Sequence, residues 1–316
     1  MRPISISLIT SCTLFLLLFT GCKQDNSKAD ATDEAIKPPT VNIVEVITYG
    51  MDFNLPDTLK SGWTTFKYIN KSYEPHFFIL EKMPDSIGIK EYKSELLPPF
   101  KTAFQLFGEG KVEAGMKEFE KIPQWFYSVE FGGGVGLTSA QSTTQSTIDL
   151  APGTYVMECY VRMPNGVPHT FMGMLKELTV LEAKNEQSPP KADKSIAISS
   201  EEGISFVDSL STGDYVFSVS FKDQKKYEHM LGHDVNLVKI ENDSLLPVLG
   251  NWLNSMDMTA FRSPAPEGLT FLGGVEDLSS GSTGYFNVNL SKGDYVLISE
   301  IPNSIDRNMY KTFTVN

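Results

Sequence analysis

Cysteine and histidine are both scarce in this 316-residue chain, which carries three of the first and four of the second. Cys12 and Cys22 fall in or at the end of an apolar N-terminal run, so the folded body holds one thiol, Cys159. Basic charge is also short: 27 Lys and Arg stand against 39 Asp and Glu, a net charge of -12. That balance argues against nucleic-acid binding, whose affinity rests on cationic side chains displacing phosphate counterions. No Ser/His/Asp arrangement offers a nucleophile with its base. Gly132-Gly133-Gly134-Val135-Gly136 lacks the following Lys-Ser/Thr and the βαβ context of a phosphate cradle, and it reads as a turn. Hydrophobic residues make up 41% and charged residues 21%, which excludes a disordered chain and a polytopic membrane protein. The length suggests two domains.

The N-terminus reads Met1-Arg2-Pro3, an apolar run from Ile4 to Phe19, then Thr20-Gly21-Cys22-Lys23. A short positive region, a short apolar core and small residues at the cut describe an export signal over 1–21 rather than a spanning helix. Phe19-Thr20-Gly21-Cys22 resembles a bacterial lipobox, with Phe in place of the usual Leu, and the resemblance implies lipidation at Cys22. Residues 22–40 are polar and read as a flexible tether. From Val41 the chain turns to short β-type runs, among them Val41 to Thr48, Thr64 to Asn70, Phe77 to Glu81 and Tyr155 to Val161, each bounded by Gly, Pro, Asn or Asp. One stretch departs from this. Between Pro99 and Phe119, apolar residues recur at intervals of three and four on either side of Gly108-Glu109-Gly110, which predicts two short helices.

A second linker, 185–197, contains Gln187-Ser188-Pro189-Pro190, and the sequence after it repeats the sequence before it. Phe131-Gly132-Gly133-Gly134-Val135 is echoed by Phe271-Leu272-Gly273-Gly274-Val275, and Leu96-Leu97-Pro98 by Leu245-Leu246-Pro247. Leu150-Ala151-Pro152-Gly153-Thr154-Tyr155-Val156 is echoed by Leu290-Ser291-Lys292-Gly293-Asp294-Tyr295-Val296, and Met174-Leu175-Lys176 by Met309-Tyr310-Lys311. Matches in one order predict two copies of one β-rich unit, at 41–184 and 198–316.

Four residues of the first copy could form one metal site: His76, Cys159, His169 and Met174. Strand alternation puts Tyr155, Met157 and Cys159 on one face and Glu158 on the other. His169 follows Cys159 across a loop rich in Pro, Asn and Gly, Met174 comes five positions later, and Pro75-His76 opens a separate strand. Two imidazoles, a thiolate and a weak thioether suit copper, being soft enough for Cu(I) and acceptable to Cu(II). Zinc would more often recruit a second Cys or a carboxylate. Met172 competes with Met174 for the thioether role.

Through Asn70-x4-Pro75-His76 and Pro152-Gly153-Thr154-Tyr155-x3-Cys159-x9-His169-x4-Met174, the first copy resembles the cupredoxins, the plastocyanin, azurin and copper nitrite reductase group. The resemblance implies an all-β fold of two tandem cupredoxin-like Greek-key β-sandwiches with short helical inserts, and type 1 copper held by His76, Cys159, His169 and Met174. It does not cover the helical insert. In the second copy His233 falls at the position of His76 and Met309 at that of Met174, but Ser299 replaces Cys159 and no histidine follows it, so no copper site is expected there. His229 and His233 read as core or exposed histidines rather than ligands.

These readings lead to an expected lipid-anchored cupredoxin-like protein of the cell envelope, periplasmic or on the outer-membrane surface of a Gram-negative bacterium. It would bind one copper and pass single electrons to a redox or copper-exchange protein partner. The alternatives are a copper-binding or delivery lipoprotein without redox turnover, and a metal-free β-sandwich interaction module. Four histidines cannot build the further His-rich clusters of multicopper enzymes, so the expectation is that the chain is not an enzyme.

Overall fold

The computed structural model describes residues 42–207 and 209–316. The expected export signal, Cys22 and the expected tether at 22–40 lie outside the described residues. Seven strands precede the second linker: β1 (Ile43–Thr48), β2 (Thr58–Asn70), β3 (His76–Lys82), β4 (Glu130–Thr138), β5 (Thr143–Leu150), β6 (Gly153–Glu158) and β7 (Leu175–Lys184). Eight follow: β8 (Lys194–Ser199), β9 (Gly203–Ser205), β10 (Gly213–Phe221), β11 (Val235–Ile240), β12 (Leu269–Val275), β13 (Thr283–Leu290), β14 (Gly293–Ile298) and β15 (Tyr310–Val315). The fold is mostly β, as the short β-type runs predict.

The two halves repeat one pairing scheme. In the first, β2 pairs with β1 in parallel and with β5 antiparallel, while β3 lies antiparallel between β4 and β6, and β6 pairs with β7. In the second, β10 pairs with β8 in parallel and with β13 antiparallel, β11 lies between β12 and β14, and β14 pairs with β15. Lys82 faces Tyr155 as Lys239 faces Tyr295, which puts His233 at the register of His76. The halves join where β12 meets β4 at Leu272–Thr138 and where β13 meets β5.

The echoed motifs have physical causes. Tyr155 and Tyr295 each donate a hydroxyl hydrogen bond to the carbonyl four residues earlier, Ala151 at 2.8 Å and Ser291 at 2.7 Å, pinning the turn that feeds the strand. The glycine run is not a turn, as its composition suggests, but the middle of β4. Gly133 and its counterpart Gly273 sit at φ +80° and +85°, where only glycine is unstrained. A Cβ on the next residue would lie 2.0 Å from the Phe78 carbonyl oxygen at Gly134, and 1.9 Å from that of Val235 at Gly274. The glycines therefore let neighbouring backbones approach at bulged pairings, a use of glycine that composition does not distinguish from a loop.

The two helices expected around Gly108-Glu109-Gly110 are present as α1 (Leu97–Gly108) and α2 (Val112–Glu118). Pro98 and Pro99 are tolerated because the first turn of a helix has no internal acceptors for its N–H groups. A π-helical turn, Tyr92–Leu96, leads into α1. Two further helices, α3 (His169–Met172) and α4 (Leu245–Leu253), complete the set used below, and Leu245-Leu246-Pro247 opens α4 much as Leu96-Leu97-Pro98 opens α1. The stretch read as a linker, 185–197, ends early: β8 begins at Lys194, drawn into the sheet by Ile196 and Ile198, which are buried.

Candidate metal centre

Three loops and strand ends bring the donors together. His76 is the first residue of β3, opposite Thr138 of β4. The turn before it is tied down by Asn70, whose Nδ2 donates to the carbonyls of Glu74 at 2.8 Å and Thr138 at 3.1 Å. Cys159 follows the last residue of β6, and its N–H donates to the Met174 carbonyl at 3.4 Å. His169 opens α3, with its N–H on the Val161 carbonyl at 2.7 Å, and its own carbonyl accepts from Met174 N–H at 3.1 Å. Thr170 Oγ1 donates to the Cys159 carbonyl at 2.9 Å, closing the loop upon itself.

The result is a triangle of donor atoms. Cys159 Sγ lies 3.7 Å from His76 Nδ1 and 3.8 Å from His169 Nδ1, and the two nitrogens are 3.1 Å apart. All three side chains are wholly buried. Edges of 3.1 to 3.8 Å would let one ion of ordinary bond length reach all three atoms at once. The donor set, two imidazoles and one thiol in a trigonal array, fits copper.

Protonation favours ligation. Burial lowers His76 to about 4, and burial together with the neighbouring His76 lowers His169 to about 3, so both rings are neutral near pH 7. Burial pushes the Cys159 thiol up, so the apoprotein carries S–H and ligation releases a proton. His169 Nε2 lies 3.0 Å from Glu74 Oε2, within ion-pair distance although the two atoms are not aligned as a hydrogen bond. With Nδ1 directed at the sulfur, Glu74 stands beside the ring's other nitrogen.

Of the four residues singled out from sequence, His76, Cys159 and His169 converge. Met174 is wholly buried and its backbone bonds to both Cys159 and His169, whereas Met172 is 54% exposed. Glu74 was missed because a carboxylate two residues before a ligand carries no periodic signal. A second group was also missed: Glu158, on the face opposite Cys159, is buried beneath Tyr92, whose hydroxyl donates to its Oε2 at 2.9 Å, and burial raises it to about 7. Strand alternation correctly separates Glu158 from Cys159 but does not reveal that the helical insert covers its face. Between this insert and α3 lies an apolar cavity of about 470 Å³, lined by Phe100, Phe104, Phe107, Phe119, Phe171 and Met230.

In the second half the counterparts are turned elsewhere. His233 Nε2 lies 3.0 Å from the Asp223 carbonyl oxygen and Nδ1 3.2 Å from the Tyr227 hydroxyl, a hydrogen-bonded core histidine. Ser299 Oγ donates to Asp234 Oδ1 at 2.8 Å.

No family model and no curated protein sequence matches the chain. Among solved structures it is similar to auracyanin B, at 16% identity over 41% of this chain and 93% of that one, with a TM-score of 0.29. It is similar also to auracyanin A, a "blue" copper protein from Chloroflexus aurantiacus, at 20% identity over 44% of this chain and 98% of that one, with a TM-score of 0.26. A multicopper oxidase is similar at 10% identity over 87% of this chain and 88% of that one, with a TM-score of 0.22. That protein is named as an oxidase, and the expectation that this chain is not an enzyme is withdrawn. The physical reason is that a histidine count limits one kind of copper cluster and does not bound what other side chains bring to a reaction.

Proposed function

We propose that the chain binds one copper ion through His76, Cys159, His169 and axial Met174, as a type 1 centre serving single-electron transfer. The observation that carries this reading is the buried triangle of one sulfur and two Nδ1 atoms with edges of 3.1 to 3.8 Å. Bound there, copper would supply a one-electron couple. The residues supply the rest: the imidazoles are neutral, the backbone that carries them is held by Asn70 and by the Val161 carbonyl, the thiol is shielded from water, and the trigonal array suits both oxidation states. Complete burial of three donors favours a resident ion over one handed on, because exchange would require opening the loop that Thr170 closes.

Residues 41–184 would form the copper-binding domain and 198–316 a cupredoxin-like domain without copper. Lipid on Cys22 would hold the protein at the cell envelope, where a redox protein partner exchanges the electron. No helix among the described residues is long and apolar enough to cross a membrane.

The test is the visible spectrum of the purified chain after Cu(II) loading. An intense thiolate-to-copper band is expected. Tight Cu(I) binding without that band would replace electron transfer by copper delivery, and no stoichiometric metal would leave a metal-free interaction module.

A further inference from the structure

We propose that Asp234, Glu276 and Glu300, in the second half of the chain, form a site for one hard divalent cation of the calcium type. The three side chains are 0 to 1% exposed, and one carboxylate oxygen from each lies within 4.8 Å of the others. Asp277, also buried, adjoins them and accepts from Gly232 N–H.

The hydrogen bonding is incomplete in a particular way. Asp234 is held in place: Oδ1 accepts from Ser299 Oγ and from Glu300 N–H, each at 2.8 Å, and Oδ2 accepts from Asn236 Nδ2. Glu300 Oε1 accepts from the Tyr160 hydroxyl. Glu300 Oε2 and both oxygens of Glu276 have no partner among the described residues. A wholly buried carboxylate with neither oxygen bonded is costly in either protonation state, since the neutral acid leaves its own O–H without an acceptor. The charges acting on Glu276 are those of Asp234 and Asp277, so its neighbours add repulsion rather than relief. Burial raises Asp234 to about 7 and Asp277 and Glu300 to about 8, which shows how poorly the protein alone tolerates the ionised cluster.

A cation resolves the deficit, and the donors select its class. Oxygen-only ligands exclude the soft-metal chemistry of the first half and suit Ca²⁺, Mg²⁺ or Mn²⁺. Ca²⁺ takes about six to eight oxygens in flexible geometry, whereas Mg²⁺ dehydrates reluctantly and usually keeps several waters. A wholly buried cage of protein oxygens therefore suits Ca²⁺. Tyr160 links the two sites through the chain, being the residue after Cys159 and the donor to Glu300. The proposal stands on oxygen donors alone and does not depend on copper.

The test uses the full chain stripped with EDTA and titrated separately with CaCl₂, MgCl₂ and MnCl₂, reading heat and Tm. One Ca²⁺ per chain is expected, with a Tm that climbs with Ca²⁺ concentration as mass action requires. Glu276→Gln and, separately, Glu300→Gln should weaken Ca²⁺ binding by tenfold or more, while Cys159→Ser should leave it unchanged. No heat and no Tm shift in the wild-type chain at millimolar Ca²⁺ would overturn the proposal, whether or not the variants fold. Wild-type affinity in either glutamine variant, or loss of Ca²⁺ binding with Cys159→Ser, would overturn it equally.

Discussion

At one register of the repeated scaffold stands Cys159 in the first half and Ser299 in the second; at another stand His76 and His233. His76 turns Nδ1 toward its cysteine, while the His233 ring is occupied by Tyr227 and the Asp223 carbonyl. The residue after His233, Asp234, takes the place beside Ser299 and brings Glu276 and Glu300 with it. One backbone thus holds a soft, nitrogen and sulfur donor set in one half and a hard, oxygen-only set in the other. A strand register fixes where a side chain starts, and its hydrogen bonds decide where it points.

Exchanging the thiol should have the largest effect. Cys159→Ser should abolish the visible band and lower copper affinity at least a hundredfold, because a thiolate is a strong covalent ligand and a hydroxyl is not. Ser299→Ala, at the matching position, should leave spectrum and copper affinity unchanged. Equal losses in both variants, measured by copper titration, would mean that the halves do not differ in the way described.

A smaller effect sharpens it. Met174→Leu should retain copper and raise the reduction potential, since an axial thioether is weak and mainly tunes how well Cu(II) competes with Cu(I). Protein-film voltammetry showing an unchanged potential, or metal analysis showing complete loss, would remove Met174 from the axial role.

The strands and helical insert were legible because their causes are local. Short β-type runs bounded by Gly, Pro, Asn or Asp mark β1 to β3 and β6, intervals of three and four with a Gly-Glu-Gly break mark α1 and α2, and the repeated Tyr155 and Tyr295 turns reveal the duplication. The His76, Cys159 and His169 set was legible as residue types in a known spacing, since those three side chains have few neutral uses in a chain that holds so few of them. What stayed hidden depends on packing. Gly132 to Gly136 looked like a turn because sequence does not show the Phe78 carbonyl pressing against Gly134. The burial of Glu158 and Glu276 stayed hidden because nothing local to either residue announces it.

The most direct test of the central claim, that one half holds a soft metal and the other does not, is copper content per purified chain after loading with excess Cu(II) and removal of loosely bound ions. One copper per chain is expected, lost with Cys159→Ser. Two coppers retained by the wild-type chain, or none, would contradict it.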